Sequence, residues 1–258
     1  MHKCALSEIS QQRGRHMTIG LERNTKKLFS ERGSLFLLAL DHAQMGVMPG
    51  LEDIASLVER FSNSRLDGFI LNVGPGRRMA DEHLVHKKLV LRSSFGGSLL
   101  ATEFAAAHAN HVSPETALSL GADAVLMMAV VGGSDFRGLQ AVARDIDTYH
   151  RFSIPVIVEI IAADFSKTAT LDIQYHGARI ASELGADVVK AFYVDDFEKV
   201  VSCCSVPVIL AGGPKDRDIC EVARKAVAAG ARGFAFGRNI FQSENPELLI
   251  NELRSILP

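Results

Sequence analysis

One lysine interrupts an apolar run at residues 185–194, which read GADVVKAFYV. Lys190 stands between valines and an alanine, and a run of this kind is typical of a strand that is buried on both faces. A buried ammonium must be paired, reach water or give up its proton. A neutral amine attacks a ketone to form a Schiff base, whose iminium withdraws electrons from the adjacent C–C bond. Lys190 is therefore a candidate nucleophile, and the alternative is a structural ion pair with Glu159 or Asp41.

Two carboxylates are the next candidates for chemistry. Glu159 lies in the β-branched run PVIVEII, where an acid is seldom left unpaired. On a face shared with Lys190, it would move protons during formation and hydrolysis of a Schiff base. Asp41 ends the run LLALDH and would accept a proton from a substrate hydroxyl. The structural alternatives are charge compensation of Lys190 by Glu159, and a turn or N-cap role for Asp41.

Glycines and one arginine follow the last two apolar runs of the chain. The motifs LAGGPK and FGRNIF place Gly212, Gly213 and Gly237 where a strand opens into a loop, with Arg238 directly afterwards. Glycine lets backbone N–H groups approach phosphate oxygens, a helix N-terminus favours the negative charge, and arginine adds a bidentate contact. These residues predict a phosphate site. The alternative is that the glycines only make tight turns and Arg238 is a surface cation.

The elements that must position these residues repeat along the chain. The segments LSLGADAVLMMAV, ASELGADVVKAFY and VAAGARGFAFGRN each join a helix end, a Gly-Ala pair and an apolar strand, which predicts repeated βα units. The predicted strands are 35–41, 68–74, 88–94, 123–131, 155–161, 187–193, 206–212 and 233–238. Eight buried parallel strands with intervening helices predict an α/β fold, the (βα)₈ TIM barrel. A doubly wound sheet is the alternative, but no GxGxxG loop follows the first strand.

The polar residues of the predicted strands gather at their C-terminal ends. Asp41 and His42 end the first strand, Asn72 the second and Arg92 the third, while strand middles are almost wholly apolar. Catalytic groups of a TIM barrel lie at these ends and in the loops that follow. The asymmetry predicts an enzyme, with Arg92 as a candidate cationic neighbour of Lys190.

Length and composition limit the class of protein. With 258 residues, the chain fits a single barrel domain at 34–258 and an N-terminal extension at 1–33 that contains a helix around LERNTKKLFS. A net charge of −2 argues against nucleic-acid and membrane-binding surfaces, but is compatible with a small basic pocket. The chain has no apolar run of signal-peptide or membrane-spanning length and no CxxC pattern, which predicts a cytoplasmic protein. Neither DH nor HLVHKK has a partner set for zinc, so no metal is predicted.

The motifs LLALDHAQMG, GADVVKAFY, VPVILAGGPK and GFAFGRNIFQ, in this order, resemble the class I aldolases of the DeoC/LacD type over most of residues 34–245. The resemblance implies a homo-oligomeric lyase without a cofactor that cleaves or forms a C–C bond of a phosphorylated ketose. It implies that Lys190 is the Schiff-base lysine and that Asp41 acts on a substrate hydroxyl. The residues implied to hold the substrate phosphate are Gly212, Gly213, Gly237 and Arg238.

The fifth predicted strand differs from one branch of that family. Archaeal-type fructose-bisphosphate aldolases have a tyrosine general acid near its end, where this chain reads IIAAD. The run PVIVEII is similar to the tagatose-type branch, whose glutamate in this strand supports Glu159 as acid/base. The run GRNIFQSENP and the missing tyrosine are similar to a thiolase branch, which implies acyl transfer from a phosphorylated diketone to coenzyme A. A phosphosugar isomerase or epimerase with Glu159 as its base, and a phosphosugar-binding protein without activity, are also compatible with these residues.

Overall fold

The eight strands of the protein close into a parallel barrel. The computed structural model describes residues 19–79, 83–101, 109–213 and 217–258. Each strand pairs with the next in the chain, and the last pairs with the first. The strands are β1 (Leu35–Ala39), β2 (Gly68–Leu71), β3 (Lys88–Arg92), β4 (Ala124–Val131), β5 (Val156–Ala162), β6 (Val188–Ala191), β7 (Val208–Ala211) and β8 (Gly233–Phe236). The predicted (βα)₈ TIM barrel is confirmed, and the closed sheet excludes the doubly wound alternative.

Helices connect the strands around the outside of the barrel. Over the described ranges they are α1 (Ile19–Leu28), α2 (Ile54–Ser62), α3 (Val73–Arg78), α4 (Pro114–Ser119), α5 (Phe136–His150), α6 (Leu171–Glu183), α7 (Phe197–Ser202), α8 (Ile219–Ala228), α9 (Arg238–Phe241) and α10 (Pro246–Ile256). Two 3₁₀ helices, Asp41–Met45 and Phe165–Lys167, follow β1 and β5. None of the helices in these ranges has the length and apolar character to span a bilayer.

The interior of the barrel is a packed core rather than a pore. Alternate residues of the strands point inwards, and Leu28 of α1 joins their cluster, so α1 covers the N-terminal end of the barrel. The inward-facing apolar residues of this cluster are Leu35, Leu37, Ala39, Ile70, Val90, Ala124, Leu126, Ile157, Val188, Ile209 and Ala235. The predicted helix around LERNTKKLFS is thus confirmed as α1. The domain boundary at residues 33 and 34 stays a prediction, and residues 1–18 of the predicted extension lie outside the described ranges.

Aspartates at the N-terminal end of the barrel give a structural reason for part of the sequence repeat. Asp67, Asp123 and Asp187 each stand directly before an even-numbered strand. One carboxylate oxygen of each accepts a backbone N–H from the preceding odd-numbered strand. The donors, in the same order, are Phe36, Leu89 and Val156, at 2.7, 2.9 and 2.8 Å. Each aspartate therefore ties two neighbouring strands together at the end opposite to the polar strand ends.

Candidate active site

A cavity of about 220 Å³ lies at the C-terminal ends of the strands. This is the end at which TIM barrels carry their active sites. All seven residues that the sequence singles out for catalysis or phosphate binding line it. They are Asp41, Glu159, Lys190, Gly212, Gly213, Gly237 and Arg238.

Lys190 and Glu159 are direct neighbours on adjacent strands. They are register partners in the pairing of β5 with β6, and their side chains point into the barrel because strand side chains alternate. Lys190 Nζ lies 2.7 Å from Glu159 Oε1, and the two residues are 3% and 7% exposed. The sequence leaves open whether Lys190 is a structural ion-pair partner or a nucleophile in a cavity. In the structure Lys190 both pairs with Glu159 and lines the cavity.

Arg92 connects the two carboxylates of the site. Its Nη1 donates to Asp41 Oδ2 at 3.1 Å and to Glu159 Oε2 at 2.8 Å, and its Nε donates to the Ser94 carbonyl at 3.2 Å. Arg92 is 5% exposed. The three charged residues belong to β1, β3 and β5 or their ends, and alternate strands of a barrel bring their side chains into one layer. The sequence predicts Arg92 as a cationic neighbour of Lys190 but does not predict its contacts with the two carboxylates. Its position at a strand end is the only local signal.

The surrounding cations decide the charge of Glu159. Burial raises the pKa of this carboxyl, but the charges of Lys190 and Arg92 and their hydrogen bonds outweigh burial and lower the pKa to about 2. Glu159 is therefore ionised at neutral pH and has the capacity to accept a proton. Oε1 faces the lysine and Oε2 faces the arginine, so the proton acceptor nearest to the amine is Oε1.

The end of β1 contributes an acid with one unused oxygen. Asp41 is 4% exposed and starts a 3₁₀ helix, but its side chain caps nothing, and the N-cap residue is Leu40. Its Oδ2 binds Arg92, whereas its buried Oδ1 accepts no hydrogen bond from the described residues. His42 Nδ1 lies 3.7 Å from this oxygen. Burial above all, together with the charges of Lys190 and Arg238, lowers the pKa of His42, so its ring is neutral at neutral pH.

The glycines after β7 and β8 are favoured at their positions for different structural reasons. Gly213 has φ +71°, a left-handed conformation that favours glycine, and a Cβ there would meet no described atom within 4 Å. The described residues therefore leave space beside the backbone at Gly213. A Cβ at Gly237 would lie 2.8 Å from the Ala39 carbonyl oxygen, so Gly237 is also needed for close packing of β8 against β1. Arg238 is exposed and lines the cavity. Helix α9 has four residues, too few for the predicted contribution of a helix dipole.

Comparison with known sequences decides the family. Residues 35–243 match the DeoC/LacD family aldolases. The chain belongs to this family. The 2-amino-3,7-dideoxy-D-threo-hept-6-ulosonate synthase 1 of Archaeoglobus fulgidus is 29% identical to this DeoC/LacD protein, over 93% of the chain and 91% of the synthase. The 3-hydroxy-5-phosphonooxypentane-2,4-dione thiolase of Klebsiella pneumoniae is 30% identical, over 92% of the chain and 81% of the thiolase.

Solved structures agree with the family assignment. An archaeal fructose 1,6-bisphosphate aldolase superimposes on this DeoC/LacD protein with a TM-score of 0.80 at 26% identity, covering 92% of this chain and 98% of the other. An archaeal fructose-1,6-bisphosphate aldolase with its catalytic lysine bound to a carbinolamine intermediate gives a TM-score of 0.81 at 26% identity, covering 92% and 99%. These relatives support an enzyme of the aldolase type, and the thiolase among them shows that similar chains differ in reaction.

The tyrosines of this DeoC/LacD protein all lie away from the cavity wall. Tyr149 is in α5, and its hydroxyl donates to the Val112 carbonyl. Tyr175 is in α6, and Tyr193 follows β6 and stacks on Phe197 with 5.6 Å between ring centroids. The tyrosine acid of the archaeal-type aldolases therefore has no counterpart among these residues. Glu159, Asp41 and His42 are the proton-accepting side chains that line the cavity together with Lys190.

Proposed function

We propose that this protein is a metal-independent class I aldolase that cleaves or forms a C–C bond of a phosphorylated ketose through a Schiff base on Lys190. The observation that carries the proposal is the buried Lys190–Glu159 pair, with 2.7 Å between Nζ and Oε1, in the wall of a cavity. An amine that is buried but reachable by a ligand, with a carboxylate in proton-transfer distance, has what Schiff-base formation requires.

The first step is transfer of a proton from Nζ of Lys190 to Oε1 of Glu159. The neutral amine then adds to the ketone carbon and gives a carbinolamine. Glu159 returns the proton to the hydroxyl of the carbinolamine, which leaves as water while the iminium forms. The charge of Lys190 contributes to the low pKa of Glu159, so transfer of the lysine proton removes part of what keeps this carboxyl ionised.

The second step is cleavage of the C–C bond between the α and β carbons of the iminium. Oδ1 of Asp41, which accepts no hydrogen bond from the described residues, takes the proton of the substrate hydroxyl on the far carbon. An aldehyde forms at this carbon and the C–C bond breaks. Its electron pair forms the C=C bond of an enamine, and the C=N electron pair moves to nitrogen. Protonation of the enamine and hydrolysis then release the ketone. Arg92 is a positioning residue that holds the second oxygen of each carboxylate.

Borohydride reduction tests this mechanism directly. The full-length protein is incubated with dihydroxyacetone phosphate, reduced and digested, and the peptides are analysed by mass spectrometry. We expect a stable secondary amine on Lys190 with the mass of the reduced ketone. Protein treated with borohydride alone is the control. Turnover of a ketose phosphate with an unmodified Lys190 after reduction would contradict the proposal.

Arg238 is the proposed cationic contact of the substrate phosphate, beside the open backbone at Gly213. We expect Arg238→Ala to raise KM for a ketose phosphate about tenfold, since a charge-assisted hydrogen bond at an exposed position is lost. The value of kcat should change little, because Arg238 does not contact the reacting carbons. Dihydroxyacetone, which has no phosphate, is the control substrate, and its KM should be the same in both proteins. Equal KM values for the phosphorylated substrate would refute the assignment.

Acyl transfer is the second candidate function. The 30% identity with the Klebsiella pneumoniae thiolase favours it, as does a cavity wall without tyrosine. In this reaction Lys190 would form the iminium with a phosphorylated diketone, and the acyl group would pass to coenzyme A. Turnover that depends on coenzyme A separates this function from aldol cleavage. A homo-oligomeric state and a cytoplasmic location stay predictions from the sequence.

A further inference from the structure

The two sides of the cavity differ in polarity. The side formed by β7 and β8 has the glycine turns and Arg238, and the end of β1 has Asp41. Above Glu159 and Lys190, the side formed by the ends of β4, β5 and β6 is apolar, and two methionines of the segment after β1 also line the cavity. The large apolar lining residues are Met45, Met48, Met128, Ile161, Phe165 and Phe192.

The apolar wall begins directly above the Lys190–Glu159 pair. Ile161 follows Glu159 by two residues on β5 and Phe192 follows Lys190 by two, so each lies on the same face one step nearer the mouth. Met128 and Ile161 are each 4% exposed and form an apolar cluster with Val130 that is separate from the two larger clusters of the core. Phe192 packs against this cluster. A substrate group that extends from the reacting carbon towards the mouth on this side therefore contacts hydrocarbon.

The described part of the cavity wall has one cation without a carboxylate partner. Among the described residues, Arg92, Lys190 and Arg238 are the cations that line it. Arg92 is bound to two carboxylates, and Lys190 is paired with one of them. Residues 102–108, TEFAAAH, belong to the connection after β3 that lies outside the described ranges, and they contain no lysine or arginine. Lys215 follows Gly213 by two residues in the chain and lies outside the described ranges.

A second phosphate would be unfavourable on the apolar side. It would lie near the carboxylates of Asp41 and Glu159 and against methionine and isoleucine side chains, without a cation of the described residues to compensate it. We infer that the substrate carries one phosphate and that its other half, the aldehyde partner, is uncharged with an apolar body. This inference rests on the proposed aldolase function and adds the substrate class to it. The aldehyde oxygen meets Asp41, and the carbon chain packs on the wall of β4 to β6.

Aldol synthesis with a panel of aldehydes tests the inference. The full-length protein receives dihydroxyacetone phosphate as donor and propanal, butanal or glyceraldehyde 3-phosphate as acceptor, and kcat/KM is measured for each. We expect butanal to exceed glyceraldehyde 3-phosphate by about tenfold or more, the discrimination that apolar pockets reach with small differences in buried hydrocarbon. Equal or better use of glyceraldehyde 3-phosphate would overturn the inference.

Borohydride trapping in the same samples separates this inference from the function on which it rests. If no adduct forms on Lys190, both the proposed aldolase function and the inferred aldehyde class are wrong. If the adduct forms and the phosphorylated aldehyde is preferred, or if neither apolar aldehyde is consumed, the aldolase chemistry stands and the apolar acceptor is wrong.

A charge placed in the apolar wall gives an independent test. Phe165 is 54% exposed and lines the cavity, so Phe165→Lys should fold. We expect this variant to raise kcat/KM for glyceraldehyde 3-phosphate and lower it for butanal, each about tenfold. Phe136→Lys is the matched control, since Phe136 is 76% exposed on α5 and does not line the cavity. An unchanged ratio of the two substrates in Phe165→Lys would contradict the apolar wall as the acceptor site.

Discussion

Lys190→Arg should lower kcat for a ketose phosphate by about 10⁴-fold or more, the loss that follows removal of a group acting as covalent nucleophile. Arginine keeps a positive charge beside Glu159 but forms no Schiff base, so the packing of the pair is largely preserved while the chemistry is removed. Steady-state kinetics measure the effect. Borohydride trapping on the variant should give no adduct at position 190.

Lys87→Arg is the matched control for this substitution. Lys87 is a half-buried lysine whose Nζ donates to the carbonyls of Ser64 and Leu66, each at 2.7 Å, and it does not line the cavity. We expect Lys87→Arg to change stability rather than kcat. Appreciable activity in Lys190→Arg would instead favour an isomerase or epimerase that uses Glu159 as a base. Ligand binding without turnover in the wild type would favour a binding protein.

Glu159→Gln should lower kcat by roughly 10² to 10⁴-fold, the usual contribution of a general acid–base group. Glutamine has nearly the same shape, but it accepts no proton from Nζ at 2.7 Å and returns none to the carbinolamine. The KM for the phosphorylated substrate should change little, because the proposed phosphate contacts are on β7 and β8. The rate of adduct formation, followed by quenching with borohydride at increasing times, should fall in parallel with kcat.

Asp187→Asn is the control for removal of a buried carboxylate. Asp187 is 6% exposed and accepts hydrogen bonds from the Val156 N–H and from His150, at the N-terminal end of the barrel. Its substitution should cost about 1–3 kcal/mol of folding free energy and leave kcat of the folded protein unchanged. Full activity of Glu159→Gln would show that Glu159 only compensates the charge of Lys190, the structural alternative.

The fold was predictable from sequence because its signals are local. An apolar run bounded by Gly-Ala and turn residues predicts a strand without reference to the rest of the chain, and all eight predicted strands form. Their C-terminal bounds were less predictable. The first predicted strand continues to residue 41, but β1 ends at Ala39, and Asp41 begins a 3₁₀ helix. β1 ends where its pairing with β2 stops. Because pairing depends on two strands, the sequence of one strand does not determine this bound.

The residues of the candidate site were predictable from the sequence, but the contacts between them were not. Burial makes an unpaired lysine or glutamate costly wherever it occurs, so Lys190 and Glu159 attract attention in any apolar run. The contacts of Arg92 with both Asp41 and Glu159 cross the barrel between strands that are not adjacent. Those distances depend on closure of the sheet, which no single segment encodes. Gly213 and Gly237 occur in similar motifs, so the sequence does not distinguish them. The structure shows space among the described residues beside Gly213 and close packing at Gly237.

Sequence by itself therefore determined which residues are inside, which run forms each strand, and which charges require a partner, because the cost of burial and the alternation of side chains act over a few residues. Tertiary structure decided which partner each charge has. It pairs Lys190 with Glu159 through the register of β5 and β6, and it leaves one oxygen of Asp41 without a hydrogen-bond donor from the described residues. It also gathers side chains from β4, β5 and the residue that follows β6 into one apolar wall. These relations arise when the barrel closes, since only then are groups distant in the chain within bonding distance of each other.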